Sequence, residues 1–116
     1  MIVYHNNRCT KSREVVNLLK EKAVKFEIRN YMEFRLSKNE LVALLKQLDI
    51  EVSGILRTTE DAYKLHIKDK NLTDEEIIAI ILKNPKLIQR PIVVWDGGAL
   101  IARPIEKLLE KLKLNN

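Results

Sequence analysis

The sequence has very little cysteine and no long apolar run. Its single cysteine, Cys9, cannot form a disulfide within the chain, so we expect a reducing, cytoplasmic environment. No hydrophobic stretch approaches the roughly 20 residues that a membrane-spanning helix needs. The start, MIVYHNN, also lacks the charged region and long apolar core of a secretory signal. We therefore expect no membrane partner.

Length and charge limit the remaining classes of protein. A chain of 116 residues suits a single domain with its own hydrophobic core. The net charge of +5 is compatible with nucleic-acid binding. Most lysines, however, alternate with glutamates on predicted helix faces, as on an ordinary solvated surface. We therefore expect no nucleic-acid surface, and anionic small molecules are the better candidate ligands.

The N-terminal pattern predicts a strand, a helix and a second strand. Residues 2–4 are β-branched or aromatic, which is typical of a short strand. Apolar residues at helical spacing follow, in a helix expected to begin at residues 10–12. Residues 25–31 alternate between apolar and polar side chains, which predicts the second strand. Two strands joined by one helix should be parallel.

The middle of the chain is predicted to be helical. Ser37 with Glu40, and Thr73 with Glu76, have the spacing of capping boxes, and each pair precedes an apolar stripe. Short helical turns are expected at residues 54–57 and 60–65 between these two helices. The face expected to be buried on the second helix consists of Ile77, Ile80 and Ile81.

The C-terminal part predicts a hairpin and a final helix. Apolar runs at 92–95 and 99–102 flank Asp96, Gly97 and Gly98, and Pro104 suits the start of a helix. The element order predicts an α/β fold of the thioredoxin-like, three-layer kind with a mixed four-stranded sheet. We expect one domain, residues 1–116, with a helical insertion at about residues 37–84.

Cys9 lies in the polar loop HNNRCTKSRE. A lone cysteine is often just a small buried hydrophobe. Here, though, it precedes a helix, where unpaired backbone N–H groups and the helix dipole favour a thiolate, and Arg8, Lys11 and Arg13 lie within four residues. The same backbone, at Thr10 and Lys11, can hold an oxyanion beside the sulfur. We therefore predict that Cys9 is a nucleophile.

Ser12 occupies the position of the second cysteine in a CxxC redox motif. Its hydroxyl can stabilise a thiolate but cannot resolve a disulfide, so any redox cycle requires an external thiol. Alternatively, Ser12 simply caps the helix.

The segments YHNNRCTKSRE, ILR, QRPIVV and ARP resemble the glutaredoxin-coupled arsenate reductase family along essentially the whole chain. The loop is closest to a subgroup with sequences like RCSKSRE. The resemblance implies a thioredoxin-like fold with a helical insertion. It also implies that Cys9 attacks arsenate, that glutathione and glutaredoxin reduce the adduct to arsenite, and that no cofactor is bound, glutathione being a co-substrate.

By the same resemblance, Arg57, Arg90 and Arg103 bind the oxyanion, His5 tunes the thiolate and Pro91 has a cis peptide bond. Guanidinium groups suit this task because each offers paired donors to two oxygens. The alternatives are surface salt bridges for the arginines and a structural role for His5. We expect no metal site, since two histidines and one cysteine lie far apart in the sequence.

The loop departs from the family at two positions. Asn7 stands where proline is common, and Thr10 stands where well-characterised reductases have glycine. These changes leave the rate and the substrate preference open. One alternative function is a glutathione-dependent thiol oxidoreductase with another substrate. Another is an RNA-polymerase-binding regulator of the same fold, which ranks lower because such regulators typically carry CxxC and lack the ARP segment.

Overall fold

The computed structural model describes residues 1–114, and the chain divides into two compact units. The first unit combines Met1–Tyr31 with the C-terminal segment from Arg90 onward, and the second is Met32–Gln89. The helical insertion predicted at residues 37–84 lies within the second unit. That the whole chain is a single domain stays a prediction.

The first unit contains a four-stranded mixed sheet of order β2-β1-β3-β4. Its strands are β1 (Ile2–Tyr4), β2 (Glu27–Arg29), β3 (Ile92–Trp95) and β4 (Gly98–Ile101). Helix α1 (Thr10–Glu21) joins β1 to the parallel strand β2, and β3 is antiparallel to both of its neighbours. The predicted α/β class and the mixed four-stranded sheet are therefore confirmed.

The strand register places one end of each of the four strands at the same edge of this sheet. Tyr4, the last residue of β1, pairs with Arg29 at the end of β2 and with Ile92 at the start of β3. Ile92 in turn pairs with Ile101 at the end of β4. The segments that follow β1 and β4 and the segment that precedes β3 consequently emerge together. We call this side of the sheet the loop edge.

The core of the first unit fixes α1 against the sheet. The buried residues of this cluster, contributed by the sheet, α1, the segment after β4 and the C-terminal helix α5 (Glu106–Leu114), are Val3, Val15, Val16, Leu19, Val93, Ala102 and Leu108. Burying a side chain of the size of valine or leucine contributes about 1.5–3 kcal/mol. Because α1 is held on one face by this core, the position of its N-terminus is fixed too.

The second unit is helical. Its elements are α2 (Lys38–Leu48), α3 (Asp61–His66), α4 (Asp74–Lys83) and two 3₁₀ turns, Val52–Ile55 and Pro85–Leu87. Both predicted capping boxes are confirmed, since the side chains of Ser37 and Thr73 accept hydrogen bonds from the backbone three residues later. No helix within residues 1–114 is long and apolar enough to span a bilayer.

The buried face of α4 differs from the prediction. Ile78 and Ile81 are buried, whereas Ile77 and Ile80 are only half-buried. Residues three apart share a helix face, so Ile78 and Ile81 point inward together, and Ile77 and Ile80 lie beside them on the side nearer to solvent. Because four of the five residues 77–81 are isoleucine, the sequence pattern does not indicate which face of the helix is buried.

Two boundaries near the C-terminus also differ. The hairpin turn is formed by Asp96 and Gly97 alone, since Gly98 already pairs with Trp95, and Gly97 has the positive φ of +95° that this tight turn requires. The last helix begins at Glu106 rather than at Pro104. The chain enters this helix through a turn, in which the N–H of Lys107, the second helical residue, donates to the Pro104 carbonyl.

The C-terminal end of α1 provides a stability test. Ala23 adopts a left-handed φ of +54°, and its N–H donates to the Lys20 carbonyl while Val24 N–H donates to Leu19. A left-handed conformation costs an alanine about 1–2 kcal/mol and costs glycine nothing. We expect Ala23→Gly to raise the free energy of unfolding by about 1 kcal/mol, measured as a shifted urea midpoint at unchanged m-value.

Lys22→Gly is the matched control, because the neighbouring residue has an ordinary right-handed φ of −81°. Here glycine should lower stability by about 0.5–1 kcal/mol. If both substitutions destabilised the protein equally, the left-handed end of α1 would be refuted.

Candidate active site

Cys9 lies at the loop edge, directly before the first residue of α1, and is half-buried. Its N–H donates to the Asn6 carbonyl at 2.9 Å, and its own carbonyl accepts from Arg13 N–H at 3.1 Å. The predicted helix start at residues 10–12 is confirmed. The thiol is thus held at the positive end of the helix dipole.

Opposing effects act on the Cys9 thiol. Burial raises its pKa, but the backbone N–H of Ser12, a hydrogen bond from the Arg90 guanidinium and the backbone N–H of Lys11 together lower the pKa below the ordinary value of a cysteine. The sulfur makes no capping hydrogen bond of standard geometry, yet it lies where a capping acceptor would. The site therefore favours the thiolate.

Ser12 acts on the sulfur through its backbone. It is fully buried, and its hydroxyl accepts from Asn6 N–H at 3.4 Å. Ser12 is the third residue of α1 and Cys9 is the N-cap, so the alternative that Ser12 caps the helix is wrong. Contact between its hydroxyl and a thiolate stays a prediction.

Thr10 and Lys11 form the exposed first positions of α1. The Lys11 ammonium lies 3.9 Å from the carboxylate of Glu14, an exposed pair of little energetic value. Lys11 therefore affects Cys9 mainly through its N–H. The N-terminal N–H groups of a helix suit an anion, and the oxyanion role of both residues stays a prediction.

His5 is buried at the end of β1, with only 7% of its surface exposed. Burial first, and then the charge of Arg13, lower the pKa of its imidazole, so His5 is neutral at neutral pH. Its Nδ1 has no hydrogen-bond partner within residues 1–114, although its backbone N–H donates to the Arg29 carbonyl at 3.0 Å. A neutral ring brings no positive charge to the thiol, and its tuning role stays a prediction.

The three predicted arginines lie in different settings. Arg90 precedes β3, hydrogen-bonds Cys9 and has the predicted cis bond to Pro91. Arg103 is exposed just after β4, at the same loop edge. Arg57 belongs to the second unit, where its Nη1 lies 3.1 Å from the Glu60 carboxylate; their side chains are only 19% and 25% exposed. Thus the first unit brings Arg90 to the sulfur and Arg103 to the same edge.

Asn6 was missed by the sequence analysis. It is buried, its side-chain Oδ1 accepts from Arg8 N–H at 3.0 Å, and its carbonyl accepts from Cys9 N–H. An asparagine that bonds the backbone two residues later forms an Asx turn, so a polar residue at the end of a strand was the available signal. Asn6 shapes the approach to Cys9.

Arg13 was recognised only as a nearby cation. Its Nη1 donates to the Asn7 carbonyl at 3.0 Å and its Nη2 to Thr10 Oγ1 at 3.3 Å. Nothing in the sequence distinguished this arginine from Arg8, which is also exposed.

The site offers a nucleophile and anion donors without a metal cluster. Within residues 1–114, no group of three or more histidine, cysteine, aspartate or glutamate side chains could hold a metal ion, and His66 is exposed on α3. This arrangement defines a thiol-dependent protein. Its single activated cysteine lies beside an arginine at the loop edge of a mixed sheet.

The chain belongs to the ArsC family, whose pattern matches residues 4–111. It is 46% identical over 110 residues to the Escherichia coli K12 protein called Uncharacterized protein YfgD, covering 93% of this chain and 92% of that protein. It is 39% identical over 114 residues to the arsenate reductase of Haemophilus influenzae, covering 97% and 98%. A solved arsenate reductase from Vibrio cholerae has a TM-score of 0.88 and 40% identity, covering 94% of each chain.

These likenesses confirm the predicted family and its thioredoxin-like fold. The closer likeness to a subgroup with an RCSKSRE-type loop stays a prediction. The Cys9 thiol and the Arg90 guanidinium at the loop edge therefore lie in a chain of the ArsC family.

The contact between Arg90 and Cys9 can be tested by thiol reactivity. Arg90→Gln removes a positive charge and a donor from the sulfur, so the pKa of the Cys9 thiol should rise. The rate of alkylation by iodoacetamide follows the thiolate fraction, and its inflection should therefore move to higher pH. Because the chain has one cysteine, the rate reports Cys9 alone.

Arg8→Gln is the matched control, since it removes the same charge from an exposed side chain next to Cys9 in sequence. Its alkylation profile should stay close to that of the unmodified protein. Equal profiles for Arg90→Gln and the unmodified protein would show that the guanidinium does not act on the sulfur.

Proposed function

We propose that the protein reduces arsenate to arsenite with Cys9 as the nucleophile and with glutathione and glutaredoxin as external reductants. The observation that carries this proposal is the Arg90 guanidinium hydrogen-bonded to a thiol at the N-terminus of α1, in a chain of the ArsC family. The names of relatives such as the Haemophilus influenzae arsenate reductase support arsenate as the substrate.

The first chemical step joins sulfur to arsenic. The Cys9 thiolate attacks the pentavalent arsenic of arsenate and displaces one oxygen, which leaves as water after protonation. Arsenic stays pentavalent in the resulting thiol adduct. The backbone N–H groups of Thr10 and Lys11 and the guanidinium groups of Arg90 and Arg103 would stabilise the negative oxygens.

The second step needs two thiols, because conversion of pentavalent to trivalent arsenic takes up two electrons. Cys9 supplies one sulfur of the disulfide that forms, and glutathione supplies the other. Ser12 replaces the second cysteine of a CxxC motif, so no resolving thiol lies within the chain. Glutaredoxin would then remove glutathione from Cys9 and restore the thiol.

This cycle also supports the expected location and cofactor content. Glutathione and a free cysteine are compatible with the reducing cytoplasm. The reaction requires no bound cofactor, because thiols carry both electrons. The role of Arg57 as an oxyanion ligand is proposed from the family resemblance, and oxyanion binding there would have to compete with its ion pair to Glu60.

A glutathione-dependent thiol oxidoreductase with another substrate is the second candidate. Its specific support is Thr10, which places a side chain at the first position of α1 where the resemblance leads us to expect glycine. Such a side chain narrows the space beside the sulfur. The same thiolate would then act on another oxidant, for example a glutathione mixed disulfide.

The proposal is tested by arsenate-dependent NADPH consumption in the presence of glutathione, glutaredoxin and glutathione reductase. The unmodified protein should turn over, and Cys9→Ser should reduce activity to background because serine is not ionised at neutral pH. A control disulfide substrate establishes that the glutaredoxin is active. Absence of turnover with an active control would contradict arsenate reduction and favour the second candidate.

Arg103→Ala tests oxyanion binding at the loop edge. Loss of a charged donor from a bound anion costs about 1.5–3 kcal/mol, so KM for arsenate should rise at least about tenfold. Lys107→Ala, which removes an exposed charge from α5, is the control and should leave KM unchanged. Equal KM values for the two variants would show that Arg103 does not bind the oxyanion.

A further inference from the structure

Arg13 reaches back from the first turns of α1 to both sides of Cys9. Its Nη1 donates to the Asn7 carbonyl at 3.0 Å, two residues before the cysteine, and its Nη2 donates to Thr10 Oγ1 at 3.3 Å, one residue after it. We propose that Arg13 is a positioning residue that clamps residues 7–10 and thereby holds the Cys9 sulfur and the helix N–H groups in place for oxyanion attack. This inference rests on the proposed function.

The other hydrogen bonds of this loop do not involve the Asn7 carbonyl or the Thr10 hydroxyl. Asn6 accepts from Arg8 N–H through its side chain and from Cys9 N–H through its carbonyl. Within residues 1–114, the hydrogen bonds of Asn7 and of the Thr10 hydroxyl are those made by Arg13. The N-cap of α1 also lacks a side-chain capping bond. Arg13 therefore supplies a restraint that neither Asn6 nor the helix cap provides.

The clamp requires an arginine rather than any cation. A guanidinium presents several N–H donors in one rigid plane, so a single side chain can bridge two acceptors in fixed geometry. A lysine keeps the charge but has a flexible point-like ammonium. The neighbouring cations do not duplicate the bridge, because Lys11 lies near Glu14 and, within residues 1–114, Arg8 hydrogen-bonds through its backbone N–H and not through its side chain.

The clamp depends on a feature of this particular loop. Thr10 provides the hydroxyl that accepts from Nη2, and a glycine at that position could not. Asn7, whose carbonyl accepts from Nη1, stands where a proline would restrict the backbone by itself. The Arg13 side chain thus hydrogen-bonds both residues at which the loop departs from the family, Asn7 and Thr10. The charge of Arg13 also acts on His5, where it helps burial to lower the imidazole pKa.

The test is a double-mutant cycle of Arg13→Lys with Thr10→Val. Thr10→Val removes the Nη2 bond and keeps the side-chain volume, whereas Arg13→Lys removes both guanidinium bonds and keeps the charge. Arg13→Lys should therefore lower kcat/KM for arsenate by about tenfold, and Thr10→Val by less. The double variant should lose little beyond Arg13→Lys, because the bond that Thr10→Val removes is already absent in that variant. Thr10→Ser, which keeps the hydroxyl, should recover most of the activity, and Arg8→Lys should have no effect.

A second readout does not depend on arsenate. The amide hydrogens of Arg8 and Cys9 should exchange faster by about fivefold in Arg13→Lys and in Thr10→Val, and at the unmodified rate in Arg8→Lys. If the proposed function fails, no protein in the series will reduce arsenate, yet hydrogen exchange still reports the clamp. Additive effects in the cycle, or unchanged exchange in Arg13→Lys, would overturn the positioning role.

Discussion

The site depends on the hydrogen bond between the Arg90 guanidinium and the Cys9 sulfur. That contact exists because Tyr4 pairs with Ile92, which brings the segment before β3 beside the loop that follows β1. The core that holds α1 on the sheet fixes the other partner, since the loop must end where the helix begins. A register shift between β1 and β3 would separate donor from thiol even if every residue were retained.

The thiol is activated by few groups at short range. Burial alone would keep it protonated, and the N–H groups of Ser12 and Lys11 together with Arg90 outweigh that effect. The net charge of +5 and the exposed Arg8 are not what lowers the pKa of the thiol. Buried His5 is neutral and adds no positive charge. Direction and distance of donors, rather than the number of cations, determine the state of the sulfur.

Local signals predicted local structure well. The capping boxes of Ser37 and Thr73 and the placement of Cys9 before α1 depend on residues within one helical turn, and the structure confirms them. The predicted buried face of α4 was right at Ile81 but wrong at Ile77 and Ile80, because several isoleucines fit the same period. The roles of Asn6 and Arg13 could not be predicted, because side-chain bonds to a loop backbone depend on the loop's conformation. Resemblance, rather than periodicity, singled out Arg90.

The most direct test of the account is an ultraviolet titration of the thiolate in the unmodified protein. Because the chain has one cysteine, the difference between this titration and that of Cys9→Ser reports Cys9 alone, since the three tyrosines contribute to both. The account predicts an apparent pKa below the 9.0 of an unperturbed cysteine. A titration at or above that value would show that burial outweighs the helix N–H groups and Arg90, and Cys9 would then not be an activated nucleophile.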